Sequence, residues 1–149
     1  MKIVIQRVTK AKITINHSLE REIGQGLVVL LGIEDADEKE DADWLLKKIL
    51  HLRIFDDENG IMNLSVLDVK GNLMIVSQFT LHASTKKGNR PSYIRAAKPE
   101  KAVPLYDYFL QQALQSLPQT KSGEFGAYMN IALENDGPVT IIMDSKNKE

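Results

Sequence analysis

The sequence contains no cysteine in 149 residues, so disulfide bonds and thiolate chemistry are both excluded. Its three histidines, His17, His51 and His82, lie in separate segments and lack the spacing of metal ligands. We therefore expect no metal and no other cofactor. The absence of disulfides is compatible with a reducing compartment but does not require one.

Long hydrophobic runs are also missing. The longest, Leu27 to Leu31, is far too short to cross a bilayer, and the first residues enter an alternating strand pattern without the layout of a signal peptide. We expect a soluble, cytoplasmic protein with no membrane partner. The glycine-rich signatures that bind nucleotide phosphates are absent as well.

Neither sign of charge is in large excess, because the formal net charge is −1. A general coat of positive charge for nucleic acid is therefore excluded, and any such binding must come from a local patch. The basic residues are unevenly distributed along the chain. One segment, offset only by Glu100, contains Lys86, Lys87, Arg90, Arg95, Lys98 and Lys101.

The length and a hydrophobic content of 43% suit one domain, residues 1–149, with its own core. Helical spacing predicts one helix through Ala42, Leu45 and Ile49, and a second over Pro99 to Leu117 whose regular part begins near Pro104. A linker is expected over 118–123. Apolar or alternating patterns predict strands over 2–8, 11–15, 24–32, 53–55, 73–81, 127–133 and 139–143.

The order of these elements indicates the fold class. Two strands precede the first helix, which favours a mixed-sheet α/β or α+β domain over a doubly wound one. We therefore expect an α/β fold in which mixed β-sheets are packed in layers with two main helices.

Two charged features each allow two interpretations. The acidic run from Glu34 to Asp43 looks like a cation site, but it leads into helical spacing, and carboxylates near a helix N-terminus complement the helix dipole. The simpler interpretation is a helix start. Arg7 shares a strand face with Ile3 and Ile5, so it is either a clamp on a nearby loop or a charge at a frayed strand end.

The stretch from Leu73 to Pro91 carries the first candidate site. An apolar run typical of a strand buried on both faces continues into Ser77, Gln78, Phe79 and Thr80, and a basic loop follows. If the strand continues, Thr80 and His82 share one face. Polar groups at a strand end beside a cationic loop suit a phosphate-bearing substrate, although such groups often only satisfy backbone hydrogen bonds or face solvent.

Three motifs together resemble one enzyme family. They are Ser77 to Leu81 (SQFTL), Lys87 to Ser92 (KGNRPS) and Asn135 to Thr140 (NDGPVT), accompanied by IQRV at 5–8 and GEFGA at 123–127. In this order, over the whole length, the chain is similar to the D-aminoacyl-tRNA deacylases. The resemblance implies an enzyme that hydrolyses the ester joining a D-amino acid, or glycine, to the terminal ribose of tRNA.

The resemblance also implies a homodimer and a set of site residues. Gly137 and Pro138, joined by a cis peptide bond, would enter the pocket of the other subunit and reject L-amino acids by collision. The pocket residues carried over from the family are Ser77, Gln78, Phe79 and Thr80, with Met129 close by and Arg7 bracing the Gly-Pro turn. The family mechanism implied is substrate-assisted: the ribose 2′-hydroxyl helps to activate water, and backbone N–H groups near Phe79 and Thr80 stabilise the oxyanion.

The implied partners are a second copy of the chain and aminoacyl-tRNA, recognised through its 3′ terminal adenosine and acceptor stem, and no DNA. Lys86, Lys87 and Arg90 would contact acceptor-stem phosphates, so we expect binding to weaken with salt. Two alternatives stay open. One is a threonine-dependent hydrolase of small esters, with His82 as a possible base. The other is a non-catalytic tRNA-binding module.

Overall fold

The computed structural model describes residues 1–149 and shows a single-domain α/β fold, as the sequence predicts. Two α-helices and one short 3-10 helix connect eight strands. The strands are β1 (Lys2–Ile15), β2 (Leu19–Ile23), β3 (Gly26–Gly32), β4 (Phe55–Asp56), β5 (Met62–Leu64), β6 (Asn72–Ser77), β7 (Lys121–Ser122) and β8 (Met129–Asp144). The helices are α1 (Lys39–His51), the 3-10 helix (Phe79–His82) and α2 (Pro99–Ser116).

Six strands form one mixed sheet in the order β2-β1-β3-β6-β7, with β8 along the other edge of β1. The pairs β3/β6 and β6/β7 are parallel, and β1 is antiparallel to β2, β3 and β8. The remaining two strands, β4 and β5, form a separate small hairpin. This mixture of parallel and antiparallel pairs confirms the predicted sheet type.

Strands β3 and β6 are buried on both faces of the sheet. One face, with Leu27, Val29 and Ile75, packs with both helices in the larger core. The opposite face, with Val28 and Met74, belongs to a second core closed by the distal half of β1 and by β8. Because side chains alternate along a strand, a strand between two cores must be apolar throughout. The prediction of a strand buried on both faces after Leu73 is confirmed.

The acidic run is a helix start, as the dipole argument indicates. Glu38 caps α1, its backbone N–H donates to Asp41 Oδ2 at 2.8 Å, and Lys146 Nζ lies 2.8 Å from the same oxygen. Burial by itself raises the pKa of the Asp41 carboxyl, but hydrogen bonds from Lys146, the Glu38 backbone and Ser145 outweigh it and bring this pKa from its ordinary 3.8 to about 2.

Helix α2 fixes the position of β6 from the helix layer. The Tyr106 hydroxyl donates a hydrogen bond to the Ile75 carbonyl oxygen at 3.1 Å, and burial raises the pKa of Tyr106 to about 12. The expectation that regular helix begins only near Pro104 is wrong, because α2 begins at Pro99. Pro104 is exposed, so the carbonyl of Glu100, four residues earlier, can bond to water instead.

Several strand boundaries differ from the sequence prediction. The two strands expected before residue 16 are one, β1, because β8 pairs along its whole length and register shifts around Val8 absorb the irregularity. For the same reason the expected strands over 127–133 and 139–143 are joined in β8. The linker expected over 118–123 contains β7, and β2 was not predicted. No helix is long and apolar enough to span a bilayer.

Candidate functional site

The candidate site begins where β6 ends. The backbone N–H of Gln78 donates to the Leu31 carbonyl oxygen at 2.8 Å, and the chain then turns into the 3-10 helix Phe79–His82. The expectation that the strand continues to Leu81, with Thr80 and His82 on one strand face, is therefore wrong. The physical reason is that β3, the parallel neighbour of β6, ends at Gly32 and offers no further ladder partners.

Polar groups are concentrated on this turn. The Gln78 side-chain Nε2 donates to Thr80 Oγ1 at 2.6 Å, so amide and hydroxyl orient each other. The Phe79 ring is 55% exposed and meets Tyr93 edge to face, with centroids 5.1 Å apart. The N–H groups of Phe79 and Thr80 open the helix, where no earlier helical turn supplies them with an acceptor. Such N–H groups are suited to a developing negative charge.

A cavity of about 290 Å³ lies beside the turn. Ser77, Gln78, Phe79 and Met129 line it, so four of the sequence-predicted site residues meet here. Most of the remaining lining is apolar, including Leu31, Ile33, Val76, Phe125 and Ile131. A small organic group would therefore be held by apolar walls next to amide, hydroxyl and backbone donors.

The cavity wall around Met129 depends on residues that the sequence analysis did not single out. Arg21 Nη1 donates to the Ser122 carbonyl oxygen at 2.5 Å and to the Gly123 carbonyl oxygen at 3.3 Å. A Cβ atom at Gly123 would clash with the Met129 sulfur, so a larger residue there would displace the Met129 side chain. The GEFGA motif that contains Gly123 was the available sequence signal, but Arg21 had none.

The Gly137-Pro138 peptide bond is cis, as the resemblance implies, and both residues are exposed. Gly137 has a φ of 113°, in the region that favours glycine. The Asn135 side-chain amide bridges the bend by donating to the carbonyl oxygens of Arg7 and Val139, at 3.0 Å each. The bend is therefore tied to β1 and to its own return strand.

Arg7 is buried behind this bend. Its guanidinium Nε lies 3.0 Å from Asp136 Oδ2, and Nη1 donates to the Ile54 carbonyl oxygen at 2.7 Å. Asp56 Oδ1 is 3.5 Å from Nη1. The structure therefore places Arg7 against the Gly137-Pro138 bend, with carbonyl and carboxylate partners, and not at a frayed strand end. A charge at this depth requires such partners.

The site residues fall into two separate groups within one chain. Ser77, Gln78, Phe79 and Met129 line the cavity, whereas Gly137, Pro138 and Arg7 do not. Thr80 is attached to the first group through Gln78.

His82 makes no hydrogen bond to Thr80, because neither of its ring nitrogens has any partner. The threonine and histidine of the esterase alternative are thus not assembled as a nucleophile and base.

The basic loop follows the 3-10 helix, and its two ends are joined to each other. Two backbone hydrogen bonds, of 2.8 and 2.9 Å, join Ser84 and Ser92 at its base. Lys86, Lys87 and Arg90 are exposed and take part in no ion pair. Of the other cations of the segment, Arg95 pairs with Glu34 and Lys101 with Glu38, whereas Lys98 is exposed and makes no ion pair.

The fold and the site define a class of protein: a small mixed-sheet α/β enzyme whose cavity places hydroxyl, amide and backbone N–H groups beside apolar walls, as hydrolases acting on carbonyl groups do. A family model described as D-Tyr-tRNA(Tyr) deacylase matches residues 4–144. The chain belongs to this family, whose enzymes hydrolyse ester bonds, and the prediction of a hydrolase is confirmed.

Individual relatives agree with this assignment. A protein of Phocaeicola vulgatus named D-aminoacyl-tRNA deacylase is 60% identical over 150 residues, and the match covers 100% of both chains. A solved structure described as c-Myc DNA unwinding element binding protein is 41% identical, with a TM-score of 0.91 over 97% of this chain and 98% of that one. Another, a probable eukaryotic D-amino acid tRNA deacylase, has a TM-score of 0.83 at 18% identity over 95% and 97%, and supports the fold alone.

Proposed function

We propose that this protein hydrolyses the ester bond of D-aminoacyl-tRNA, and of glycyl-tRNA, and leaves L-aminoacyl-tRNA intact. The observation that carries the proposal is the exposed Gly137-Pro138 bend. It is braced by Arg7 and Asn135 but does not line the cavity of its own chain. A braced, exposed bend with a glycine in it suits insertion into a second copy.

In a homodimer, the selection between D- and L-amino acids would depend on the space available beside the substrate. The bend of one subunit would enter the cavity of the other, close to the substrate's alpha carbon. Gly137 has no Cβ, so its backbone carbonyl can approach the substrate closely. An L-side chain would occupy the same space, whereas a D-side chain points away from it. Glycine has no side chain and so makes no collision. Rejection by collision tolerates many D-side chains.

The chemical step needs little from protein side chains. The 2′-hydroxyl of the terminal ribose would orient and help to deprotonate a water molecule, whose oxygen attacks the ester carbonyl carbon. The N–H groups of Phe79 and Thr80 would stabilise the resulting oxyanion. Collapse breaks the bond to the ribose oxygen, which takes up the proton, and releases the free amino acid. Ser77 and the Gln78–Thr80 pair would orient the substrate.

The tRNA would be held partly by charge. Lys86, Lys87 and Arg90 stand free of ion pairs on a loop beside the cavity, which supports contacts with acceptor-stem phosphates near the 3′ terminal adenosine. Contacts of this kind neutralise phosphates without reading sequence. We place this activity in the cytoplasm.

The decisive experiment compares the two mirror images of one substrate. Purified protein should release D-tyrosine from D-tyrosyl-tRNA and hydrolyse L-tyrosyl-tRNA at least about a hundredfold more slowly, a difference of about 2.7 kcal/mol between transition states. Spontaneous hydrolysis in buffer is the control. Equal rates on both esters would contradict the proposed selection of D-amino acids. Hydrolysis of small esters without tRNA would support the esterase alternative. Binding without turnover would indicate a tRNA-binding module.

A further inference from the structure

The 3-10 helix that carries Phe79 and Thr80 rests on the end of β3, at Gly32. We propose that Gly32 is a positioning residue for the hydrolysis. Because it has no Cβ, the helix can lie close against β3, and this sets where the N–H groups of Phe79 and Thr80 stand at the cavity. The inference rests on the function proposed above and extends it to a residue that does not itself line the cavity.

The contact between Gly32 and the helix is unusually close. A Cβ at Gly32 would lie 3.0 Å from the Gln78 carbonyl oxygen, 3.0 Å from the Leu81 Cβ and 3.1 Å from His82 Cδ2. All three atoms belong to the helix or to the residue that precedes it. A methyl group would therefore press on the whole turn and not on one flexible side chain.

The helix, and not β3, would have to move. Gly32 is buried and pairs with Lys2 of β1, while its neighbour Leu31 pairs with Ser77 of β6. A central strand held on both sides cannot shift without disturbing the sheet. The helix is a single turn of four residues with Phe79 exposed to solvent, so it yields more readily.

His82 forms the other side of this contact. Its side chain is 2% exposed, and both ring nitrogens lack a hydrogen-bond partner. A buried imidazole without partners is destabilising, so hydrogen bonding does not explain its position. Its ring fills the space next to Gly32 and wedges the helix in place. The two residues therefore act through one packing contact.

The test is Gly32→Ala, with Gly24→Ala as the matched control. Gly32 has no left-handed backbone, so the change adds only volume, and a Cβ at Gly24 has no atom within 4 Å. We expect Gly32→Ala to lower kcat on D-tyrosyl-tRNA about tenfold with KM within about twofold, because the tRNA contacts stay in place while the oxyanion donors move. The backbone ¹⁵N–¹H shifts of Phe79 and Thr80 should change. Gly24→Ala should change neither quantity.

A second variant, His82→Ala, removes the imidazole ring that packs beside Gly32. It tests the same contact if Gly32→Ala does not fold. Alone it should also lower kcat and move the same amide signals. In the double variant the two losses should combine less than additively, because both act on one contact.

Three outcomes overturn the proposal. They are unchanged amide shifts in the folded variants, an unchanged kcat despite shifted amides, and fully additive losses. Wild-type protein inactive on D-tyrosyl-tRNA would remove the proposed function and this inference with it, whereas an active wild type with insensitive variants removes only the inference.

Discussion

At the scale of single residues, the site separates what a side chain contributes from what the backbone contributes. The Thr80 hydroxyl is occupied by the Gln78 amide at 2.6 Å, and His82 offers it no base. The backbone N–H of Thr80 does not depend on the identity of its side chain. In the proposed mechanism the hydroxyl orients Gln78 and the N–H donates to the reacting oxygen.

We therefore predict that Thr80→Ala keeps kcat on D-tyrosyl-tRNA within about tenfold of wild type, since the N–H donor survives. Single-turnover hydrolysis at saturating enzyme measures this directly. Complete inactivation would restore Thr80 as a nucleophile.

A backbone contrast sharpens this prediction. Phe79 is the first residue of the helix, where proline is tolerated, and Gln78 before it has a φ of −145° and a ψ of 80°, outside the α region that a following proline disfavours. Phe79→Pro removes the N–H, and Phe79→Ala removes the ring but keeps the N–H. Phe79→Pro should be slower than Phe79→Ala by about a hundredfold, the usual effect of losing one oxyanion donor.

At the scale of elements, α1 is joined to the C-terminal segment by charge. Asp41 accepts hydrogen bonds from the backbone N–H of the capping residue Glu38 and from Lys146, and these contacts bring its pKa to about 2. A carboxyl whose pKa is lowered on folding contributes stability above the unfolded value near 3.8. That contribution is lost as pH falls through about 2.

We predict that Asp41→Asn lowers the free energy of unfolding at pH 7 by about 1 kcal/mol, less than a two-unit shift alone implies, because Lys146 is partly exposed and water screens the pair. Urea unfolding measures the difference, which should shrink below pH 3.8 and vanish near pH 2. Asp35→Asn is the control, because Asp35 is exposed and makes no hydrogen bond. A difference that persists undiminished near pH 2 would contradict the assignment.

At the scale of the whole molecule, the proposed active site needs both groups of site residues, and it is complete only if two copies combine. Ser77 lines the cavity, and Gly137 stands outside it on the same chain. If the copies exchange bends, each active site takes its cavity from one chain and its bend from the other.

This arrangement predicts complementation. Ser77→Phe should fill the cavity, and Gly137→Val should distort the bend and add a side chain to it, so each homodimer should be inactive. A heterodimer purified through two different tags should recover about half of the wild-type activity, because one of its two sites combines an intact cavity with an intact bend.

The control for Gly137→Val is Gly60→Val. Gly60 has a similarly positive φ of 73°, but a Cβ there meets nothing within 4 Å. Gly60→Val therefore introduces the same strain of a positive φ at a position with no proposed role, and this variant should stay active. A heterodimer no more active than its parents would show that the bend does not act across subunits.

The sequence by itself determined the sheet type, the two helices, the doubly buried strand after Leu73 and the membership of a deacylase family. Apolar periodicity and local turn chemistry are encoded in neighbouring residues, so they can be read along the chain. The motifs around Ser77 and Gly137 also supplied candidate site residues, of which Ser77, Gln78 and Phe79 line the cavity.

Only the tertiary structure decided how these pieces meet. The turn at Phe79 depends on where β3 ends, the unbroken β1 depends on β8, and the roles of Arg21 and Gly32 depend on atoms far away in sequence. Such contacts depend on the specific fit between distant segments, which the apolar periodicity of either segment alone does not encode.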